Sequence, residues 1–509
     1  MIFDATTFST PLKFKTELCV VGSGAGGSMV AMQAAGAGMK VLVLEAGSFI
    51  TPDKMNQREE KMFPQLFWDS GGRTSVDRKV KIYQGKGIGG STLHNINLCK
   101  RIPESILKNW IRTNQLEHLS LDRWNELYQK VEQMLSVSVI ENNLLNKHNQ
   151  LLKNGCEKLG WKGGMLKHNR TGCLQSGFCE LGCSFDAKNN ACKIIVPQAV
   201  QSGAEFITHC QVSKIIHENG RVIGLEGFVI DPITSKPINK IEVEAKQICL
   251  SASATATAAI ILRSDIPFPD NSVGKTLHLH PGIALAGDFE ENISAWKGIP
   301  QSYECTEFLD FDNSLPNSDK ASRIWIITAF AHPMGAATTL PGHGNKHYEL
   351  MKRYPNLAVF SAMLHDESKG EINPTGDLNF SIDYNLNKKD KTELRNGLIT
   401  CANLMFAAGA KKIIVPSNPI VEIENENDIL KYLQIDFDNL NIDITAVHPM
   451  GSIPMGDDTK KFAVASNGKY LHLDGLWIAD GSLFPTSIGV PPQLSIYSMG
   501  LHVGEHIVA

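Results

Sequence analysis

Hydrophobic residues along this chain change period several times, and the changes mark its elements. Leu18–Val21 is an apolar run that ends in Gly22-x-Gly24-x-x-Gly27. Small residues follow, and a second apolar run, Val41–Leu44, is closed by Glu45. That order predicts strand, tight turn, helix and strand. Between Glu104 and Leu151 the apolar residues fall at helical spacing, with Leu107, Trp110 and Ile111, then Leu121, Trp124, Leu127, Tyr128, Val131, Met134 and Leu135. Period two takes over at 204–250, where Asn219-Gly220 predicts a hairpin turn inside an antiparallel ribbon. RIWIITAF, LAVFSAML and NFSIDY predict further strands within 320–385, and helical spacing returns at 390–409. The segment 474–509 reads as strand, turn, then helix from about Pro492. HPMG occurs at 332–335 and at 448–451, but the flanks differ and the repeat is read as coincidence. Strand patterns that return at long range predict two interleaved domains.

The opening unit carries chemistry. Gly22 permits the tight turn, Gly24 lets backbone approach a pyrophosphate, and Gly27 lets the helix pack close to the strand. The helix N-terminus offers free N–H groups and a positive dipole end to phosphates. Glu45 lies 23 residues past Gly22, near the spacing of ~20 at which a carboxylate meets ribose hydroxyls. These features together predict a dinucleotide site.

Composition narrows the partners. A chain of 509 residues exceeds one ordinary domain. Its 42% hydrophobic and 20% charged residues are those of an ordinary enzyme. The net charge of -4 argues against nucleic acid or an anionic membrane as the main partner. The longest apolar run, near Ile324–Phe330, is strand-sized and broken by Thr328, so no membrane span is expected. The opening MIFDATTFSTPLKFKTELCV lacks a charged region followed by an apolar core, so no signal peptide is expected. The eleven cysteines are odd in number and mostly scattered, which suits a reducing, cytoplasmic location.

Two further segments make the expectation specific. Residues 83–100 read YQGKGIGGSTLHNINLCK. Near the end stand VHPMGSIPMGDD and LDGLWIADGSLFPTSIGVPPQLSIYSMGLHVGEHI. With the opening unit these resemble the glucose–methanol–choline (GMC) family of FAD oxidoreductases. VGKTLHLHPGIALAGDFEENISAWKG (273–298), LPGHG (340–344) and AAGAKKI (407–413) resemble its long-chain alcohol and sterol oxidase branch. The resemblance implies an α/β fold: a Rossmann-type FAD-binding domain interleaved with an α+β substrate domain built on an antiparallel sheet. We assign 1–105, 186–285 and 435–509 to the first, and 106–185 and 286–434 to the second.

The same resemblance implies FAD as cofactor and places its contacts. Gly87, Gly89 and Gly90 would let backbone lie against a planar ring. Asn95 stands where relatives approach the flavin, and Val212 resembles the residue whose backbone meets the adenine. Asp480 and Gly481 follow the apolar strand LWIA, at a carboxyl end of the kind where α/β sheets bind ligands. His94, just before Asn95, matches a His that bonds covalently to the flavin in some relatives. A noncovalent contact is the alternative.

His448, in VHPMG, matches the family's catalytic base. The implied reaction moves a hydride from the carbinol carbon of an apolar alcohol to flavin N5. His448 takes the hydroxyl proton, as a group with a reference pKa of ~6.5 can do. The electron acceptor, oxygen or a redox protein, stays open. Relatives place His or Asn where this chain has Pro491, which offers neither a side-chain donor nor an acceptor. Either His448 works alone, or Asn95, Asn97 or another side chain substitutes, or the chain is a flavin-binding protein with weak or no alcohol oxidation.

The loop TGCLQSGFCELGCSFDAKNNAC (171–192) has Cys173, Cys179 and Cys183 at spacings of six and four. The preferred reading is a metal-free loop like that of long-chain alcohol oxidases, with Ala187-Lys188 following in the same way. The second is an iron–sulfur cluster on these three cysteines, which would make the chain a dehydrogenase subunit. Zinc is the third, without paired CxxC or a clear fourth ligand. His278 and His280 in LHLHP are read as strand residues, and a shared metal is not expected of them. Phe289, Trp296, Trp325 and Phe330 are expected in the core rather than on a substrate wall.

Overall fold

The computed structural model describes residues 1–8, 11–309 and 321–509. Among these, two large sheets dominate. The first runs, in spatial order, Ile2–Asp4, Glu205–Thr208, Val41–Leu44, Leu12–Val21, Pro237–Leu250, Arg221–Ile230 and Cys210–Glu218. Leu476–Ile478 joins the far end of Pro237–Leu250. Pairing is parallel from Ile2–Asp4 through Pro237–Leu250 and antiparallel in the last three strands. The Asn219-Gly220 hairpin is present, with both φ angles positive (51° and 76°), as a type I′ turn requires.

The helix Ala25–Gly36 follows the first long strand and is buried on nearly every side. It is wedged between the parallel strands and the C-terminal helix Gln493–Val508. That placement explains its lack of a polar face. The contact is made backbone to backbone: a Cβ on Gly500 would lie 2.5 Å from Gly26 O, and one on Gly26 would lie 1.7 Å from Ala479 O.

The second sheet is antiparallel along Val421–Ile423, Lys412–Val415, Gly282–Asp288, Leu357–Leu364, Ile324–Ala329, Tyr303–Cys305 and Gly163–Met165. Ile444–Ala446 pairs with Gly282–Asp288 and, in parallel, with Val80–Ile82. Both short strands thus come from segments assigned above to the nucleotide domain. Period two sorts the long strands. Ile324, Ile326, Ala358, Phe360 and Ala362 face a core capped by the helices Lys388–Ala407 and Lys147–Leu159. Trp325, Ile327, Ala329, Val359 and Met363 face the other way, onto a cavity.

LHLHP is not a regular strand. Leu277 and His278 make isolated bridges to Gly370 and Met450, and His280 takes a φ of +52°. The expected alternation stops there. A left-handed residue redirects the chain before Pro281.

Candidate active site

One cavity of about 1120 Å³ runs between the two sheets, large against the roughly 300–1,000 Å³ of ordinary ligand pockets. Its walls bring together Gly22, Gly24, Glu45, Gly90, His94, Asn95, Val212, His448, Asp480, Gly481 and Pro491. Gly27, Gly87 and Gly89 are absent from the lining. Gly27 packs on Gly22, where a Cβ would lie 2.0 Å from its carbonyl oxygen, and Gly89 packs on Cys192. Gly87 carries a φ of +106° and donates its N–H to Glu45. Of the three GGS-segment glycines, Gly90 alone faces the cavity, and the other two shape the turn.

The nucleotide end fits a pyrophosphate. Gly24 caps the helix Ala25–Gly36 without a side-chain bond. A Cβ there would meet only Gly90 Cα, at 4.0 Å. The space beside Gly24, at the positive helix end, is therefore open. Glu45 is buried and held by four protein donors. Its Oε2 accepts from Ser23 N and Oγ, and its Oε1 from Gly47 N and Gly87 N. A carboxylate has about four acceptor sites, so a ribose hydroxyl would have to share one of these. Glu45 thus buckles the phosphate turn to the GGS segment.

Lys188 was noted in sequence only as part of a family likeness, and the structure gives it a part in the site. The buried ammonium donates to Leu93 O, Asn95 O and Cys179 O, clamping the GGS segment from behind. Burial pulls its pKa down to about 8, against nearby thiols that raise it. His94 stacks obliquely on Phe67 at 4.0 Å. Its Nε2 has no partner among the described residues. Burial, helped by Lys188, pulls its pKa down to about 3, so it is a neutral imidazole on the wall.

At the other end the His448 ring bonds one group among the described residues. Its Nδ1 lies 3.0 Å from Nδ1 of His280, a contact not anticipated from sequence. Burial first holds the His448 pKa well below the usual histidine value, and His280 would lower it further only when itself charged. Asn95, considered above as a substitute partner, gives its amide to Gln493 Oε1 at 2.7 Å. Asn97 lies off the main cavity, beside the cysteine loop. Asp480 is buried and accepts from Thr257 Oγ1 and from Ser482 N and Oγ. Trp325 and Phe330 line the cavity, whereas Phe289 is in the core and Trp296 stacks on Tyr354 at 4.6 Å.

Cys173 Sγ accepts from Arg170 Nη1 and Gln175 N, and Cys183 Sγ from Ala187 N. The described residues hold no group of three His, Cys, Asp or Glu arranged to bind a metal ion. The iron–sulfur reading has no support here.

A two-sheet flavoprotein fold with a dinucleotide turn and a histidine across the cavity defines a class, and comparison gives the family. Residues 63–282 and 367–500 match the N- and C-terminal parts of the GMC oxidoreductase family. The chain belongs to that family and is an FAD-dependent oxidoreductase. It is 29% identical over 506 residues to an uncharacterised GMC-type oxidoreductase of Mycobacterium tuberculosis, covering 98% of this chain and 77% of that protein. A long-chain-alcohol oxidase of Arabidopsis thaliana is 26% identical over 522 residues, covering 97% of this chain and 68% of that one. Among solved structures, pyridoxine 4-oxidase from Mesorbium loti superposes with a TM-score of 0.71 at 16% identity, over 96% of this chain and 99% of that one. Formate oxidase follows at 0.70 and 14%, over 98% and 99%. No helix of the described residues is long and apolar enough to cross a membrane.

Proposed function

We propose that this protein oxidises an apolar alcohol, with His448 as the base. The observation that carries the reading is the wall opposite the nucleotide turn. Ile283, Ile327, Ala329, Val359 and Met363 make it apolar, and His448 stands on it with, among the described residues, a partner at Nδ1 alone. When bound, FAD would supply the two-electron acceptor for the carbinol hydride. Its pyrophosphate would be held at Gly22–Gly27, its adenosine by Glu45 and Val212, and its ring by Gly90, His94, Asn95, Asp480 and Gly481. His448 Nε2 takes the hydroxyl proton. Burial keeps the ring neutral at ordinary pH, so it begins with a free lone pair. The apolar wall orients the chain of the alcohol and excludes water.

A screen of alcohols under anaerobic conditions, following flavin bleaching, tests the reading. General base catalysis is worth ~10²–10⁴ in rate. His448→Ala should slow reduction by about that factor with FAD still bound, and equal rates would overturn the assignment. Pro491 favours a second reading, a flavin-binding protein with weak alcohol chemistry. A wild type that no alcohol bleaches would support it.

We also assign His94 as a flavin tether, on its place in the cavity wall beside Asn95. Acid precipitation decides this: a yellow pellet is expected, and a colourless one with free FAD in solution excludes the bond.

A further inference from the structure

The bridge between two distant segments sets the pair at the catalytic end. His278 N donates to Met450 O at 2.8 Å and Met450 N to His278 O at 2.9 Å. In an antiparallel register His278 opposite Met450 puts His280 opposite His448. The rings do meet, with Nδ1 to Nδ1 at 3.0 Å and centroids 5.1 Å apart. His280 is fully buried and held in its left-handed turn by Asp366. The carboxylate accepts from Leu279 N and His280 N, each at 3.1 Å, and from Tyr384 Oη at 2.7 Å. His278 Nδ1 lies 3.5 Å from the same carboxylate. A left-handed φ on a non-glycine residue is costly and persists only where its surroundings hold it.

We propose that His280 is the positioning residue for His448, supplying from the LHLHP segment what Pro491 lacks. It accepts the Nδ1–H of His448 and so keeps the lone pair on Nε2, facing the cavity. The proposal rests on His448 being the base. Two imidazoles joined through Nδ1 share one proton there. If it belongs to His448, Nε2 is a base. If it belongs to His280, His448 carries its own proton on Nε2 and has nothing to accept with. Once Nε2 takes the substrate's hydroxyl proton, the Nδ1–H bond to His280 becomes charge-assisted and stabilises the imidazolium. Burial would otherwise disfavour that cation. Burial pushes the His280 pKa down to about 4, so above that pH it is a neutral acceptor that does not repel the cation. The other titratable groups around the pair are Asp366, His278, His365 and Tyr384, with Arg323 behind His365.

Asparagine suits the control, because Asn Oδ1 hangs on Cγ as Nδ1 does and asparagine tolerates a left-handed φ. The holoenzyme is reduced anaerobically with dodecan-1-ol across pH. His280→Ala should slow reduction by about 10- to 100-fold, the worth of a hydrogen bond to a charged group. Its acid limb should move down by about one to two units, since the imidazolium is no longer stabilised. His280→Asn should restore rate and limb, whereas a merely structural role would leave the limb in place. If His280→Ala matches wild type while His448→Ala is impaired, the pairing is overturned and the base stands. If His448→Ala matches wild type, the base reading falls, and the pairing with it. A second readout needs no turnover. In histidine-¹⁵N-labelled protein, the His448 resonance, assigned by its loss in His448→Gln, should report the Nδ1–H tautomer. The Nε2–H tautomer in wild type would overturn the proposal.

Discussion

Glu180 stands on the cavity wall with Glu59 near it and no hydrogen bond to any described side chain. Burial first, then Glu59, raise its pKa from 4.5 to about 7, opposed by Lys188. A carboxyl whose pKa is higher folded than unfolded keeps its full contribution below the unfolded value of 4.5 and loses it as pH rises through about 7. Wild-type protein should therefore lose about 1–3 kcal/mol from this group between pH 5 and 8, the lower figure allowing for its opening to the cavity. Glu180→Gln should be free of that loss. Thermal melts of both at pH 5 and pH 8 check it, and parallel pH dependences would refute it. Such residues were invisible in sequence. From sequence Glu180 had no role, and Lys188 entered only as part of a family likeness. Their chemistry comes from neighbours far away in the chain: Glu59 for one, the carbonyls of Leu93 and Asn95 for the other.

At the scale of elements, the first helix and the last meet through glycine. Gly500 abuts Gly26, with its missing Cβ direction 2.5 Å from Gly26 O. Gly500→Val would force these helices apart and tilt the phosphate turn that begins the first of them. Overpacking of this kind costs about 1–3 kcal/mol or more. The variant should melt lower and purify with less flavin, which the ratio of flavin to protein absorbance measures. Gly220→Ala in the hairpin should lose about 1 kcal/mol with flavin content unchanged, because the strain stays local. Helices, ribbon and turn were legible from period and turn chemistry. LHLHP was not, because period two describes a strand only while φ stays negative, and His280 breaks it.

Over the whole molecule, the cavity exists because two sheets face one another, and the phosphate turn opens into it. A ligand that binds only the folded state stabilises it, by about 2.7 kcal/mol at a hundredfold excess over Kd. Added FAD should raise the melting temperature of apoprotein. Gly24→Val should abolish that rise, since its side chain would occupy the space reserved for phosphate. A variant that still responds to FAD would refute the placement.

By itself the sequence determined the class of this protein. The glycine turn, the GGS segment and VHPMG are local motifs, whose meaning lies in backbone conformation and short spacing, and they carry over from chain to chain. They pointed to the dinucleotide turn and His448, and eleven of the residues they singled out line the cavity. The tertiary structure decided which of those residues work together. Glu45 became a buckle because Ser23, Gly47 and Gly87 converge on it. His448 acquired His280 because a two-residue bridge aligned segments 168 residues apart. Hydrogen bonds and burial depend on distance in space, and one-dimensional spacing carries that information only within a helix, a hairpin or a turn.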